Sequence, residues 1–304
     1  MRKLVLIDGN SLLHRAFHAF PPLTTPKGEL INAVYGFSSM LLSVLDKLSP
    51  THVAVAWDVR GATFRKVEYA EYKANRGPMD ESLAGQIDRT KEIVKVLGIP
   101  QYGIEGYEGD DIIGTLARTA TDEGKEKDVQ VIIVTGDRDA VQLIKDKQVV
   151  VYLPIQNHHA QSMVFDEDKV AEVYGIKPRQ LIDLKSLMGD ASDNIPGVKG
   201  VGKVTASKLV QTFGSLENIY KKIEEVNPMR IRNLLLEDKE MAFQSYKLAE
   251  IDQHVPLNFD WEECLLTSYD KEEAVKLFEE LNFKSLISKL PKDNWEKEAM
   301  EVFL

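Results

Sequence analysis

With a single cysteine, Cys264, in 304 residues, the chain has no internal disulfide framework, which suits a reducing compartment. No apolar run approaches the roughly 20 residues of a membrane-spanning helix. The N-terminal MRKLVLIDGN reaches Asp8 after four apolar residues, too few for the core of a signal peptide. The chain therefore reads as cytoplasmic, with no membrane contact. Internal repeats and low-complexity tracts are missing too. So is a net basic charge: the formal balance is −10, which at first sight excludes a polyanionic partner, because phosphate binding is driven by Lys and Arg. What remains, at 43% hydrophobic and 28% charged, is a globular chain able to bury one large core, or a main domain and a smaller one.

Local charge reverses the first impression. Arg60, Arg65, Lys66, Lys73 and Arg76 face only Glu68 and Glu71 in one segment, and Lys199, Lys203 and Lys208 lie in a stretch from Gly197 to Gln211 that has no acid. In TFRKVEYAEYKANR basic and aromatic residues alternate, as a phosphate-steering or single-strand surface requires, although a solvated amphipathic helix has the same composition.

Three apolar runs, KLVLID, HVAVAWD and VQVIIVTGD, read as buried strands, each stopping at an acid: Asp8, Asp58 and Asp137. Helical patterns near 31–48, 81–97 and 109–123 alternate with them. This predicts an α/β fold with a mainly parallel central sheet, whose strands all end on one edge, the ligand-binding edge of open α/β sheets. Beyond about 175 the pattern turns helical, near 178–187, 203–213, 229–249 and 271–281, and after Pro291 the chain reads as a tail or linker (291–304). The stretch GPMDESLAGQ, 77–86, reads as a mobile loop.

The stretch IEGYEGDDIIGTLA puts Glu108, Asp110 and Asp111 before an apolar helical pattern. One carboxylate suffices to cap a helix; three repel one another unless cations lie among them. Asp137 and Asp139 in TGDRDAVQL and Asp190 and Asp193 in LMGDASDNIPG complete, with Asp8 and Asp58, a set of nine. Any one alone is more often a turn or cap residue. Together they suit hard divalent ions, which prefer oxygen ligands, and two such ions about 4 Å apart can clamp a phosphodiester. Without these nine the charge falls from −10 to −1, a surface able to approach DNA. No D-x-[DN]-x-[DN]-G loop supports calcium binding, and IDGNS has no second Asp two residues on to serve as the acid of an Asp-nucleophile phosphatase. Closely spaced glycines in GVKGVG, Gly197, Gly200 and Gly202, would let backbone N–H groups at a helix start face a phosphate, which makes 197–213 a candidate duplex grip. His14 and His18, four apart, lack a third ligand for zinc and read as surface or core residues; His158 and His159 read as loop residues.

The motifs LIDGNSLLHRAF, WDVRGATFR, EYKANR, GYEGDDIIGTLA, TGDRDAVQL and LKSLMGDASDNIPGVKGVG, in order and spacing over about 3–290, resemble the 5′-nuclease domain of bacterial DNA polymerase I, within the flap endonuclease and 5′–3′ exonuclease family. The resemblance implies a PIN-like α/β catalytic domain (1–175) with a helical arch at about 60–97. It also implies a helical region (176–290) with a helix–hairpin–helix at about 186–213. It implies a phosphodiesterase of the two-metal kind acting on 5′ flaps and 5′ ends, DNA or RNA-primed, in replication and repair. Two Mg2+, replaceable by Mn2+, would be held by all nine carboxylates directly or through water, with K+ at the hairpin. Lys73, Arg76 and Arg15 would contact the scissile phosphate. Tyr72 would stack on a base, and Arg65, Lys199 and Lys203 would join the DNA-binding surface. A monomer is implied, standing alone or as part of a longer polymerase chain. Departures are Gly109 for the usual Ala, Ala140 for Leu, Trp57 for Phe, and Lys203–Val204 where an acid and a lysine are frequent. The rival reading is a DNA-junction-binding module without hydrolysis.

Overall fold

The structure, a computed structural model, describes residues 2–123, 128–154, 163–266 and 269–292. Side chains alternate between the two faces of a strand, so strands apolar at every position must be covered on both sides. Six strands among the described residues, β1 (Arg2–Asp8), β2 (His52–Ala56), β3 (Gln101–Tyr102), β4 (Val129–Val134), β5 (Val149–Leu153) and β6 (Met163–Phe165), form one sheet in the order β3-β2-β1-β4-β5-β6. All neighbours are parallel except β6, which runs antiparallel to β5.

Before β4 come α1 (Gly9–Ala19), α2 (Asn32–Leu48), α3 (Phe64–Glu68), α4 (Glu81–Ala84), α5 (Ile87–Val96) and α6 (Gly109–Glu123). After β6 the chain is helical: α7 (Glu167–Tyr174), α8 (Gln180–Met188), α9 (Lys203–Phe213), α10 (Leu216–Lys221), α11 (Met229–Glu237), α12 (Lys239–Ala249), α13 (Lys271–Glu280) and α14 (Lys284–Ile287). Leu4, Leu6, Ala54, Val131 and Ile133 face the core shared with α6 and α8–α12, while Val5, Ile7, Val53, Val55 and Val134 face α1, α2, α5, α13 and α14. Each fully buried aliphatic side chain contributes about 1.5–3 kcal/mol, so both layers are held by the same strands.

β1 pairs with β2 on one side and β4 on the other. The order of strands reverses there, and such a switch point opens a crevice at the carboxyl ends. Asp8 ends β1, Asp58 and Asp137 follow β2 and β4 closely, and α6 starts at the same edge.

Several expectations change. The 77–86 stretch is not a free loop: Asp80 caps α4 through Ser82 N, and Leu83 and Gln86 are buried. Gln86 Oε1 accepts from Ala33 N at 2.8 Å and its Nε2 donates to Asn32 Oδ1. The segment expected as a helical arch divides: α3 and the turns to Arg76 border the crevice, but α5 packs on α2 and α13. The 229–249 helix breaks at Asp238, whose carboxylate accepts from Lys199 N. His158, His159 and most of the expected tail lie outside the described residues.

Gly197 packs against the end of α8 at φ +66°, and a Cβ there would lie 2.2 Å from Gly189 N. Its own N–H donates to Ser245 Oγ at 3.0 Å. Gly197→Ala is therefore expected to lower unfolding stability in urea by at least about 2 kcal/mol; a loss below about 0.5 kcal/mol would mean that the hairpin reshapes freely.

Candidate active site

The crevice is a cleft of 880 Å³ whose lining includes Asp8, Asp58, Glu108, Asp110 and Asp137 together with Arg15, Lys73 and Arg76. Backbone turns and small polar side chains hold the acids. Asp8 Oδ1 caps α1 by accepting from Ser11 N at 2.9 Å, and its Oδ2 accepts from Thr135 Oγ1 at 2.7 Å. Thr135 Oγ1 in turn accepts from Asp137 N, and Ser11 Oγ from Gly136 N, which ties the β1 and β4 ends together. Asp58 Oδ1 accepts from Gly109 N at 2.6 Å, so it caps the entry to α6, and Asn10 Oδ1 accepts from Asp58 N. A Cβ at residue 109 would approach that Oδ1 to 3.3 Å, so the glycine leaves the contact unstrained.

Crowding sets the electrostatics. Burial, with added repulsion from Asp58 and Asp137, pushes the Asp8 carboxyl up to about 7 despite its hydrogen bonds. Burial and the charges of Asp8 and Asp137 push Asp110 well above the carboxylate range. Among the described residues the buried Asp110 Oδ1 finds no hydrogen-bond partner, and neither does Arg15 Nη1. An acceptor and a donor left unmatched in one cleft point to a ligand with a cationic and an anionic part, because buried polar groups are otherwise satisfied.

The remaining carboxylates are engaged with basic side chains. Glu108 Oε2 accepts from Lys73 Nζ at 2.9 Å and from Tyr72 OH at 3.1 Å. Asp193 pairs with Arg76, and Lys73 Nζ stands 3.8 Å from its Oδ2. Lys73 adopts φ +52° and donates its backbone N–H to Asp193 O at 2.8 Å, so the 71–76 turn is strapped to the loop after α8. Lys185 bridges Asp139 and Asp190. Among the described residues no three or more His, Cys, Asp or Glu side chains close into a ready-made cage.

Three expected site residues are corrected. Asp111 is 0% exposed and faces away from the cleft. Its oxygens take both Arg65 guanidinium arms, at 2.7 and 2.8 Å, plus Glu108 N and Asp252 N, leaving no lone pair for a metal. Arg65 is not a DNA contact: it is buried, and it also donates to Leu248 O and Glu250 O. Tyr72, 3% exposed, spends its hydroxyl on Glu108 and Asp193 and offers no face for a base. Asp139, Asp190 and Asp193 lie beneath the cleft lining, on their cations. His14 and His18 do line it, with ring centroids 6.2 Å apart. Sequence reasoning missed Lys185, Thr135, Ser11 and Asn10; a lysine inside the apolar run of α8 was the one legible signal.

At the hairpin, Gly200 lies at φ +83° and Gly202 precedes α9 without a side-chain cap. Lys199, Lys203 and Lys208 are exposed, and Val204 is 85% exposed on the first turn.

Comparison with known proteins bears on the family and the fold. Residues 3–175 match the 5′–3′ exonuclease N-terminal resolvase-like domain, and residues 176–272 match the 5′–3′ exonuclease C-terminal SAM fold. DNA polymerase I of Caldicellulosiruptor bescii is 42% identical over 95% of the chain, and that of Bacillus subtilis 39% over 98%. The chain spans 33% of the length of each of these relatives. In fold it is similar to T5 5′-exonuclease with bound zinc, at a TM-score of 0.68 and 21% identity, covering 95% of this chain and 99% of that one. It is also similar to flap endonuclease-1 of Methanococcus jannaschii, at 0.60 and 18%, covering 95% and 90%.

The two neighbouring aspartates of α6 should respond oppositely to neutralisation. A carboxyl whose folded pKa is raised, like Asp110, adds stability where it is protonated, at low pH, and loses it as pH rises. At pH 8 in chelator, Asp110→Asn should be more stable than the parent by the order of 1 kcal/mol. Asp111→Asn strands the buried Arg65 charge and should be about 3–5 kcal/mol less stable. Urea unfolding of both variants checks the contrast; shifts of the same sign would contradict these two environments.

Proposed function

The chain belongs to the 5′–3′ exonuclease family, and on that premise we propose that it hydrolyses DNA phosphodiester bonds at 5′ flaps and 5′ ends, RNA-primed ends included, by a two-metal route. The observation that carries this reading is the unmatched pair in the cleft, Asp110 Oδ1 beside four more carboxylates and Arg15 Nη1 on the opposing helix. Hard oxygen donors fit Mg2+, with Mn2+ able to replace it. Asp8, Asp58, Glu108, Asp110 and Asp137 in the cleft lining, with Asp139 and Asp190 outside it, would hold the ions, which when bound would supply Lewis acidity and neutralise charge at phosphorus.

The chain's own side chains do the rest. Thr135 and Ser11 orient Asp8, and Gly109 N orients Asp58, so the oxygens that meet the ions are preset by bonds made on folding. Arg15 donates to the scissile phosphate. Lys73 and Arg76, now on Glu108 and Asp193, can turn to the same phosphate and support the negative charge that builds as the bond to the leaving oxygen breaks. The hairpin glycines and Lys199, Lys203 and Lys208 would grip the duplex backbone, with K+ at the hairpin carbonyls, while the 5′ strand enters between α1 and the 71–80 segment. The catalytic unit is assigned to 1–175 and the duplex-holding unit to 176–290. A polymerase region in the same longer chain, as in the curated relatives, is the fitting partner. The fold suits a monomer.

Cleavage of a labelled flap substrate with Mg2+, against the same mixture in chelator, tests the reading; a protein that binds the junction and never cuts would instead be a docking module. Asp137→Ala should lower turnover at least ~10²-fold with DNA binding retained. Lys73→Ala should cut the single-turnover rate at saturating enzyme far more than the affinity for duplex, since it acts on charge that appears only in the transition state. Equal single-turnover rates would remove Lys73 from the phosphate site.

A further inference from the structure

Lys185 lies on α8 between buried Leu184 and Leu187 and is 8% exposed. Lysine is almost never this buried unless it is paired. Its ammonium donates to Asp139 Oδ1 and Asp190 Oδ2, joining the turn after β4 to the loop after α8. The backbone behind it is fixed, since Lys185 O accepts from Gly189 N at 2.8 Å where α8 ends. Each acid is held by further bonds: Asp139 N donates to Asp137 Oδ1, and Asp190 Oδ1 accepts from Ser192 N and Oγ. Asp139 Oδ1 and Asp190 Oδ2 are thus the two oxygens that the ammonium occupies.

A hard divalent ion held between Asp139 and Asp190 would compete with the ammonium for the same two carboxylates. It and an ammonium within a few ångströms repel strongly in a partly buried site. The backbone cannot yield, but the four-carbon stem of a lysine can swing. By contrast, among the described residues no lysine or arginine is bonded to the Asp8 or Asp110 carboxylate, and Asp110 Oδ1 is buried without a partner. The two sides of the cleft are thus unequal in the way they are charged.

We propose that Lys185 is a resident cation that withholds Asp139 and Asp190 from divalent ions until its side chain is displaced, so that an ion on the Asp8 and Asp110 side binds first and one on the Asp139 and Asp190 side binds last. This rests on the metal-dependent reading above. It makes Lys185 a positioning residue: it touches neither substrate nor reacting atoms, and acts by ordering the loading of the site. An enzyme so built does not hold both ions at low metal concentration, before its substrate is in place.

The test is Mn2+ binding to the full chain without DNA, followed by the electron paramagnetic resonance signal of free Mn2+. The parent should show a tighter and a weaker class of site. Lys185→Met, which keeps the length and removes the charge, should tighten the weaker class at least about tenfold and leave the tighter one in place. Lys185→Arg should behave as the parent. A weaker class that is unchanged or weakened in Lys185→Met overturns the proposal, as does equal tightening in Lys185→Arg. Should Lys185→Met not fold, the parent decides: in Nζ-labelled protein the ammonium resonance of Lys185, assigned from its loss in Lys185→Arg, should move at the Mg2+ concentrations that fill the weaker class. A resonance unmoved at saturation overturns the proposal. Failure of the metal reading itself looks different, since the parent would then bind no Mn2+ in either class.

Discussion

Repulsion among carboxylates gathered at one edge of a sheet is the constraint to which the rest of this structure answers. A parallel sheet delivers the ends of β1, β2 and β4 to the same place, and each end bears an acid. The cost of crowding them is visible in Asp8, raised to about 7 by burial and its neighbours' charges. Two remedies coexist. Behind and beneath the cleft, basic side chains supply the missing charge: Arg65 on Asp111, Lys185 on Asp139 and Asp190, Arg76 on Asp193. At its centre, where Asp8 and Asp110 lie, no basic side chain among the described residues is bonded to either acid, and the crowding is left unrelieved.

Arg65 shows how this electrostatics also builds the fold. Its guanidinium reaches Asp111 at the start of α6 and the carbonyls of Leu248 and Glu250 at the end of α12. A planar fork with fixed donors suits such a junction better than a point charge would. One buried side chain thereby joins the border of the cleft, the helix that begins just after Glu108 and carries Asp110, and the helical region that carries the hairpin. Asp238 does similar work from the other side, breaking the helical run after α11 and accepting from Lys199 N in the hairpin. The hairpin and the cleft are connected through polar bonds as well as through the shared apolar core.

Stability and activity therefore divide between adjacent residues. Asp111 is fully satisfied and holds the fold; Asp110, its neighbour, is crowded and unmatched and lines the cleft. Such local inconsistency at a site, against consistency everywhere else, is the usual mark of function.

The sequence by itself determined the framework. Apolar runs that stop at Asp8, Asp58 and Asp137 were enough to foresee a parallel sheet with acids on one edge, because period and direction follow from the backbone alone. The glycines before α9 marked the hairpin for a similar reason, Gly197 and Gly200 being needed at positive φ. The strand β5, though a plain apolar run, was overlooked, and the antiparallel β6 and two-residue β3 are too short to signal themselves. Only the tertiary structure decided which carboxylates face the cleft. Asp110 and Asp111 are consecutive and chemically identical in the chain, and one turns to the ligand while the other turns to Arg65, 46 residues away. Tyr72 and Arg65 were equally undecidable, since a charged or aromatic side chain reads the same in sequence whether it meets solvent, DNA or a buried partner. Burial and pairing are properties of contacts between distant segments, and these exist only once the chain has folded.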